Sequence, residues 1–281
     1  MSSPSGNAAL TVRPTGTELS SPRLISTRST LATLVRHERR RAARSWLPRI
    51  VFAVIPLWLA WFVKPAFAYA LAARGATTGA ASYQALAGQV VMFGSISLIF
   101  LGHSIFEDRD THSDDRLRSG GVSRWELTTS KLVVMLTHEV FLAAFVLIIG
   151  SLLFGAHSAG DLGAWVVLSA AWCLTCTALG LVAVGLSRTA AGFTLVAYGG
   201  SLVLVAGTGG LAPYTLLPGW ARFLSRAFPS HWYLRGIDDV VVRRVTLTDV
   251  WPNVAALLAC AVGGFAIGAV LMRYRRTEPH R

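Results

Sequence analysis

Six long apolar stretches divide this chain, at roughly Ile50–Ala73, Ala85–Phe106, Leu132–Gly155, Leu162–Leu186, Ala190–Leu211 and Trp251–Met272. Each is close to the roughly 20 apolar residues an α-helix needs to cross the hydrocarbon core of a bilayer. In hydrocarbon a backbone must satisfy its own polar groups, so only helices and closed barrels span it, and runs this long are helical. The pattern predicts an all-α integral membrane protein with six transmembrane helices. Composition agrees: 53% of the 281 residues are hydrophobic and 14% charged, and the mean hydropathy of +0.52 is far above a soluble average.

The net charge of +12 invites a nucleic-acid reading, but no DNA- or RNA-binding motif accompanies it. The arginines instead flank the apolar runs, where topology and anionic lipid account for them. With alternating spans, nineteen of the 26 basic residues fall on one side, including the nine arginines before Ile50 and the four after the sixth run. The positive-inside rule then puts both termini in the cytoplasm of a multi-pass cell-membrane protein. The first apolar run starts too late and is too long for a cleavable signal peptide. Cys173, Cys176 and Cys260 all lie within spans; Cys173 and Cys176 form a C-x-x-C, but no His or Cys cluster completes a metal site, and they read as small packing residues.

Residues 1–28, rich in Ser, Thr, Pro and Gly, are expected to form a disordered cytoplasmic tail, and 276–281 a second tail, around a six-span domain over 49–275. Over 29–48, Leu31, Leu34, Val35, Ala42 and Trp46 recur at helical spacing among Arg36, Arg39, Arg40 and Arg44. That pattern is an amphipathic interfacial helix on the inner leaflet, capped by Ser29 or Thr30 and broken at Pro48; a plain basic flank is the simpler alternative.

Two polar regions carry more than topology. Between spans two and three, residues 107–127 alternate acid and base and then break at Gly120-Gly121. This predicts a short cytoplasmic surface helix, a turn, and a second helix feeding span three: a rigid element able to receive force from a soluble motor, or else a solvated loop. Between spans five and six, Trp220, Phe223, Leu224, Ala227 and Phe228 form one apolar stripe, with Arg222 and Arg226 opposite. Pro218 precedes this helix and Pro229 ends it, and a second piece is expected over His231–Arg243. Trp220, Trp232, Tyr233 and Trp251 suit a membrane–water boundary, so both pieces are expected to dip into or lie on the external leaflet as short re-entrant helices, either at the mouth of a pathway or as anchors.

Several short sequences stand in a fixed order along these elements. They are Asp108-Arg109-Asp110, Gly121-Val122-Ser123-Arg124-Trp125-Glu126-Leu127, Ser130-Lys131, Leu179-Gly180-Leu181-Val182-Ala183, the Gly209–Trp220 run with Pro213 and Pro218, and Pro229-Ser230-His231-Trp232. In that order and spacing the chain resembles the membrane subunit of type-2 ABC transporters, the permeases of drug, lipid and polysaccharide exporters, over about residues 29–275. His112, Arg118 and Gly121 depart from the usual Gly, Leu and Pro, and Asp114 and Asp115 make the loop unusually acidic, which bears on which ATPase docks.

The resemblance implies a permease that hydrolyses nothing itself, worked by an ABC ATP-binding subunit in two copies that carries ATP and Mg, and paired with a second permease chain. No cofactor belongs to this chain. A phosphate-binding loop needs G-x-x-x-x-G-K-[ST], and neither Lys64 nor Lys131 completes one. The implied ATPase-coupling surface comprises Asp108, Arg109, Asp110, Asp114, Asp115, Arg116, Leu117, Arg118 and Gly121, with Arg36, Arg39 and Arg40 beside it. The implied external gate comprises Pro213, Pro218, Trp220, Pro229 and Trp232. Along the translocation path stand the intramembrane candidates His138, Glu139 and His103. Glu139 is expected either to face the pathway between two chains and meet a cationic or polar substrate, or to be buried and neutral or paired within the bundle. Lys64 is expected to snorkel. The cargo implied is a small hydrophobic or amphipathic, antibiotic-like compound. A secondary transporter or channel would show repeats or paired intramembrane charges, which are not evident; export of a lipid or polysaccharide precursor by the same architecture is a further alternative.

Overall fold

The computed structural model describes residues 27–44, 46–73, 75, 77–111, 113–155 and 161–274. Both expected tails lie outside them, save that Thr27 and Arg28 already belong to the first helix. The described residues form helices α1 (Thr27–Arg44), α2 (Trp46–Ala72), α3 (Thr78–Asp110), α4 (Ser113–Ser119), α5 (Arg124–Leu153), α6 (Leu162–Leu186) and α7 (Ala190–Ala206). A 3-10 turn at Tyr214–Leu216 leads to α8 (Gly219–Ser225), α9 (Pro229–Val242) and α10 (Leu247–Tyr274).

Helices α2, α3, α5, α6 and α10 are long and apolar enough to cross a membrane. The fifth expected span is shorter than the sequence predicts. α7 has 17 residues and ends at Ala206 rather than Leu211, because the chain turns at Gly209, φ +92°, and the N–H of Gly210 returns to the carbonyl of Val205. At 1.5 Å per residue α7 is about 25 Å long, just under the hydrocarbon thickness. The third span differs the other way: the separate feeding helix expected before it is fused into α5, which starts at Arg124. Pro48 does not break the chain before the first span but sits in the first turn of α2, where its missing N–H costs no hydrogen bond.

α3 is the central post. It packs against α2, α5, α6, α7 and α9, and its buried residues run from Ala80 to Asp108. α6 pairs most extensively with α10. The outward faces of α2, α5 and α7 are apolar and exposed, as at Trp58, Phe62, Phe141, Leu152, Leu195 and Leu202, as lipid-facing or partner-facing helix surfaces are.

Side-chain caps mark the entry of most long helices. Thr77 accepts from the N–H of Ala80, Asp161 from Gly163 and Thr189 from Gly192. Ser123 and Glu126 form a reciprocal capping box at the start of α5. One end of the bundle carries α1 and α4, the other α8 and α9. Along α3 the two are about 36 Å apart, from Gln84, which bonds Asp238 of α9, to Asp108, which meets α5 beside α1.

Candidate functional site

At the α1/α4 end the charged loop is ordered. The expected surface helix is present as α4, followed by a tight turn in which Val122 N–H reaches the carbonyl of Leu117 at 3.2 Å and Gly121 N–H that of Arg118 at 2.9 Å. Gly121 adopts φ of +89°, a left-handed conformation that a side chain disfavours. The proline usual in relatives of the resemblance would not fit that φ. Asp110, Asp115, Arg116, Leu117 and Arg118 are exposed, and Arg118 pairs with Asp115 at 3.3 Å. Arg109 lies over the Phe106 ring and against Met272. The side chain of Asp114 lies outside the described residues, as does His112.

Behind this exposed loop sits a buried ionic junction. Lys131 of α5 forms ion pairs with Asp108 of α3 and, at 3.1 Å, with Glu38 of α1, and donates to the carbonyl of Ser104 at 3.1 Å. Its three ammonium protons thus have three acceptors on two other helices. Side-chain exposure is 4% for Lys131, 7% for Asp108 and 14% for Glu38, so the junction is dry. It fixes α1 to the bundle, with Leu31, Leu34 and Val35 half-buried and Arg36, Arg39 and Arg40 exposed, as the amphipathic pattern predicts. Lys131 and Glu38 were not among the residues the sequence singled out for this surface. The signals were there: Glu38 is the only acid between Thr27 and Trp46, and Lys131 stands at the threshold of an apolar run.

Deeper in the bundle lies Glu139. Of the two placements open to it, facing a pathway between two chains or buried within the bundle, the structure shows the second: it turns inward, 2% exposed, against α3 and α6. The reason is space. Gly94 of α3 has no side chain there; a Cβ would stand 2.8 Å from Glu139 Oε2 and 3.4 Å from Trp172 Nε1. Ser97 meets Glu139 Oε1 and also lies 2.8 Å from the carbonyl of Gly94. The one hydroxyl proton of Ser97 thus faces two acceptors, the carbonyl of Gly94 and the carboxyl group of Glu139. Around this pair stand the buried Cys173, Cys176 and Trp172, and the Tyr233 ring of α9 stacks on Trp172 at 5.5 Å. His138 is half-buried with its ring edge-on to Phe100, and His103 is exposed near the α4 end of α3. The three candidates for a path therefore do not converge.

At the other end, α8 and α9 behave differently. α9 is built in: Tyr233, Ile237, Val240 and Val241 are buried against neighbouring helices, and Trp232 is half-buried. Trp172, the stacking partner of Tyr233, lies about 15 Å along α6 from Leu162, so α9 reaches well into the bundle. His231 is buried, its Nδ1 3.2 Å from Ser225 Oγ. Burial, and then the nearby Arg235 and Arg226, hold its pKa below the ordinary imidazole value. α8 presents the expected stripe outward. Its buried residues are Ala221 and Ser225, while Trp220, Phe223 and Leu224 are 69%, 72% and 53% exposed. Pro218 precedes α8, as expected; α8 ends at Ser225, short of Pro229, and Pro229 instead opens α9 two residues before the expected His231, while Pro213 is buried before the 3-10 turn.

The family sequence model described as "ABC-2 family transporter protein" matches residues 68–270, well over half of the chain. No curated protein matches it.

Proposed function

We propose that this chain, which belongs to the ABC-2 transporter family, is the membrane subunit of an ATP-driven exporter of small hydrophobic or amphipathic compounds. It is multi-pass and helical, with five helices suited to a membrane span. In this reading it binds no nucleotide and catalyses nothing. Two copies of a separate ATP-binding subunit hold ATP and Mg, and two permease chains, alike or different, enclose the path. Both termini and the α1/α4 end face the cytoplasm of the cell membrane, and the α8/α9 end faces outward.

The family match carries the reading, and the build of the α1/α4 end supports it. A motor can move a membrane bundle only through a contact that does not yield. α4 is a short exposed rod strung between α3 and α5, and directly behind it Lys131 ties α3, α5 and α1 together. A push on α4 is therefore delivered to three helices at once, which suits a two-state switch between inward- and outward-open forms.

The test is co-purification from native membranes. Reversing exposed charges with Asp115→Arg, Arg116→Glu and Arg118→Glu is expected to lower the recovered ATP-binding subunit by at least about tenfold, since like charges across an interface cost several kcal/mol. Recovery and cargo-stimulated ATP hydrolysis equal to those of the unaltered chain would overturn this docking surface.

A further inference from the structure

Two grooves flank the 3-10 turn Tyr214–Leu216 at the α8/α9 end. One, of about 480 Å³, is walled by Tyr69, Ala72 and Ala73 at the end of α2 together with Thr215 and Leu216, and is mainly apolar. The other, of about 340 Å³, lies between Tyr214, Gly219, Arg222, Phe223 and Arg226 and is mainly polar. The wall between them is one 3-10 turn, about 6 Å of backbone.

Arg222 and Arg226 stand one helical turn apart and are both exposed. Neither forms an ion pair among the described residues. The nearest acids in sequence are engaged elsewhere, Asp238 by Gln84 at 2.7 Å and Asp239 by Arg243 at 3.2 Å. The same short helix turns Trp220, Phe223 and Leu224 outward, and Leu216 beside the turn is 61% exposed. Two uncompensated cations thus adjoin an apolar slot and an apolar ridge. A free anion or a soluble acidic peptide would engage the arginines and leave that apolar surface in water. An amphiphile satisfies both.

We propose that this surface holds a membrane phospholipid with an anionic headgroup, its phosphate on Arg222 and Arg226 and an acyl chain along the slot between Tyr69 and Leu216. The inference stands on α2, the turn and α8, and holds whatever cargo the transporter moves. The lipid anchors α8 in the leaflet, next to α9, which reaches into the bundle.

The experiment uses the full chain in nanodiscs of equal phosphatidylglycerol and phosphatidylcholine. Lipids retained after extraction are counted by native mass spectrometry, and sites are mapped with a photoreactive-acyl phosphatidylglycerol. Phosphatidylglycerol is expected to be retained in excess, and to crosslink to peptides containing Tyr69 or Leu216. Each of Arg222→Gln and Arg226→Gln is expected to reduce the excess about fivefold, from the usual worth of one basic residue at an anionic surface. The paired Arg222→Lys and Arg226→Lys variant keeps both charges and is expected to retain most of it, separating lost charge from lost structure. Equal retention by the Gln variants, crosslinks elsewhere, or displacement by inorganic phosphate would each overturn the proposal.

Discussion

Acidic side chains are buried at two places along the contact between α5 and its neighbours, and α5 handles them in opposite ways. Lys131, Met135, Glu139, Leu142 and Val146 form one buried stripe along that helix, with Lys131 and Glu139 about 12 Å apart. At Lys131 the acids are Asp108 and Glu38, balanced by an ammonium at the polar margin of the bundle. At Glu139 the partner is a serine hydroxyl, deep among apolar side chains. The first is a charged junction that holds three helices. The second is a carboxyl group with a hydroxyl partner and no cation beside it among the described residues, in surroundings where an isolated ion is costly. One helix thus shows where in the bundle charge is worth keeping.

The difference predicts unequal responses to substitution. Lys131→Ala strips the countercharge from two buried acids and is expected to cost about 3–5 kcal/mol, read as thermal denaturation of the detergent-purified chain. Hydrogen exchange in α1 should rise with it, since Glu38 loses its tie. The paired Lys131→Met and Asp108→Leu variant should recover part of that stability, because Asp108 no longer needs a countercharge while Glu38, 14% exposed, still lacks one. A loss under about 1 kcal/mol for Lys131→Ala would mean that the junction is wet and the contrast false.

The five long apolar helices were readable because hydrocarbon imposes one rule on every span, and the short helix α4 because its charge pattern and Gly-Gly break are local. α6 was placed to the residue. What escaped depended on partners distant in sequence. Lys131 joins Glu38, 93 positions away, and Ser104, 27 away, and periodicity within one helix carries no trace of such a meeting. The direction of Glu139 was open for the same reason: it is fixed by a glycine and a serine on α3. The stripe on α8 was found, but a seven-residue helix has too little surface for periodicity to say which face the bundle covers, and small Ala221 and Ser225 allow the close approach instead. The end of α7 was overrun because Gly207–Leu211 carries no charge to mark a boundary yet is bent in conformation.

A smaller effect tests the Glu139 side of the contrast. Gly94→Ala removes a residue that ordinarily weakens a helix by about 1 kcal/mol, so on propensity alone it should stabilise. Here the new methyl meets Glu139 Oε2 at 2.8 Å, and the carboxyl, held by Ser97, has little room to withdraw. The expected result is a net loss of about 1–2 kcal/mol. In a Glu139→Ala background the same Gly94→Ala change should become neutral or stabilising, a coupling that a double-mutant cycle in thermal denaturation measures directly. Additive effects would place Glu139 away from Gly94.

The smallest expected effect is the most discriminating. Glu139→Gln replaces the carboxyl group with a neutral amide of the same shape, and the amide can donate to Ser97 while Ser97 donates to the carbonyl of Gly94. Stability should change by under about 1 kcal/mol, the range of one neutral hydrogen bond exchanged for another. Transport and stimulated ATP hydrolysis should stay near those of the unaltered protein, because a neutral group turned into the bundle recognises no cation in the path. A fall in transport with stability intact would restore Glu139 as a substrate contact exposed in another state of the cycle. A loss above about 2 kcal/mol would instead mean an ionised carboxylate, and that α5 tolerates a buried charge without a countercharge.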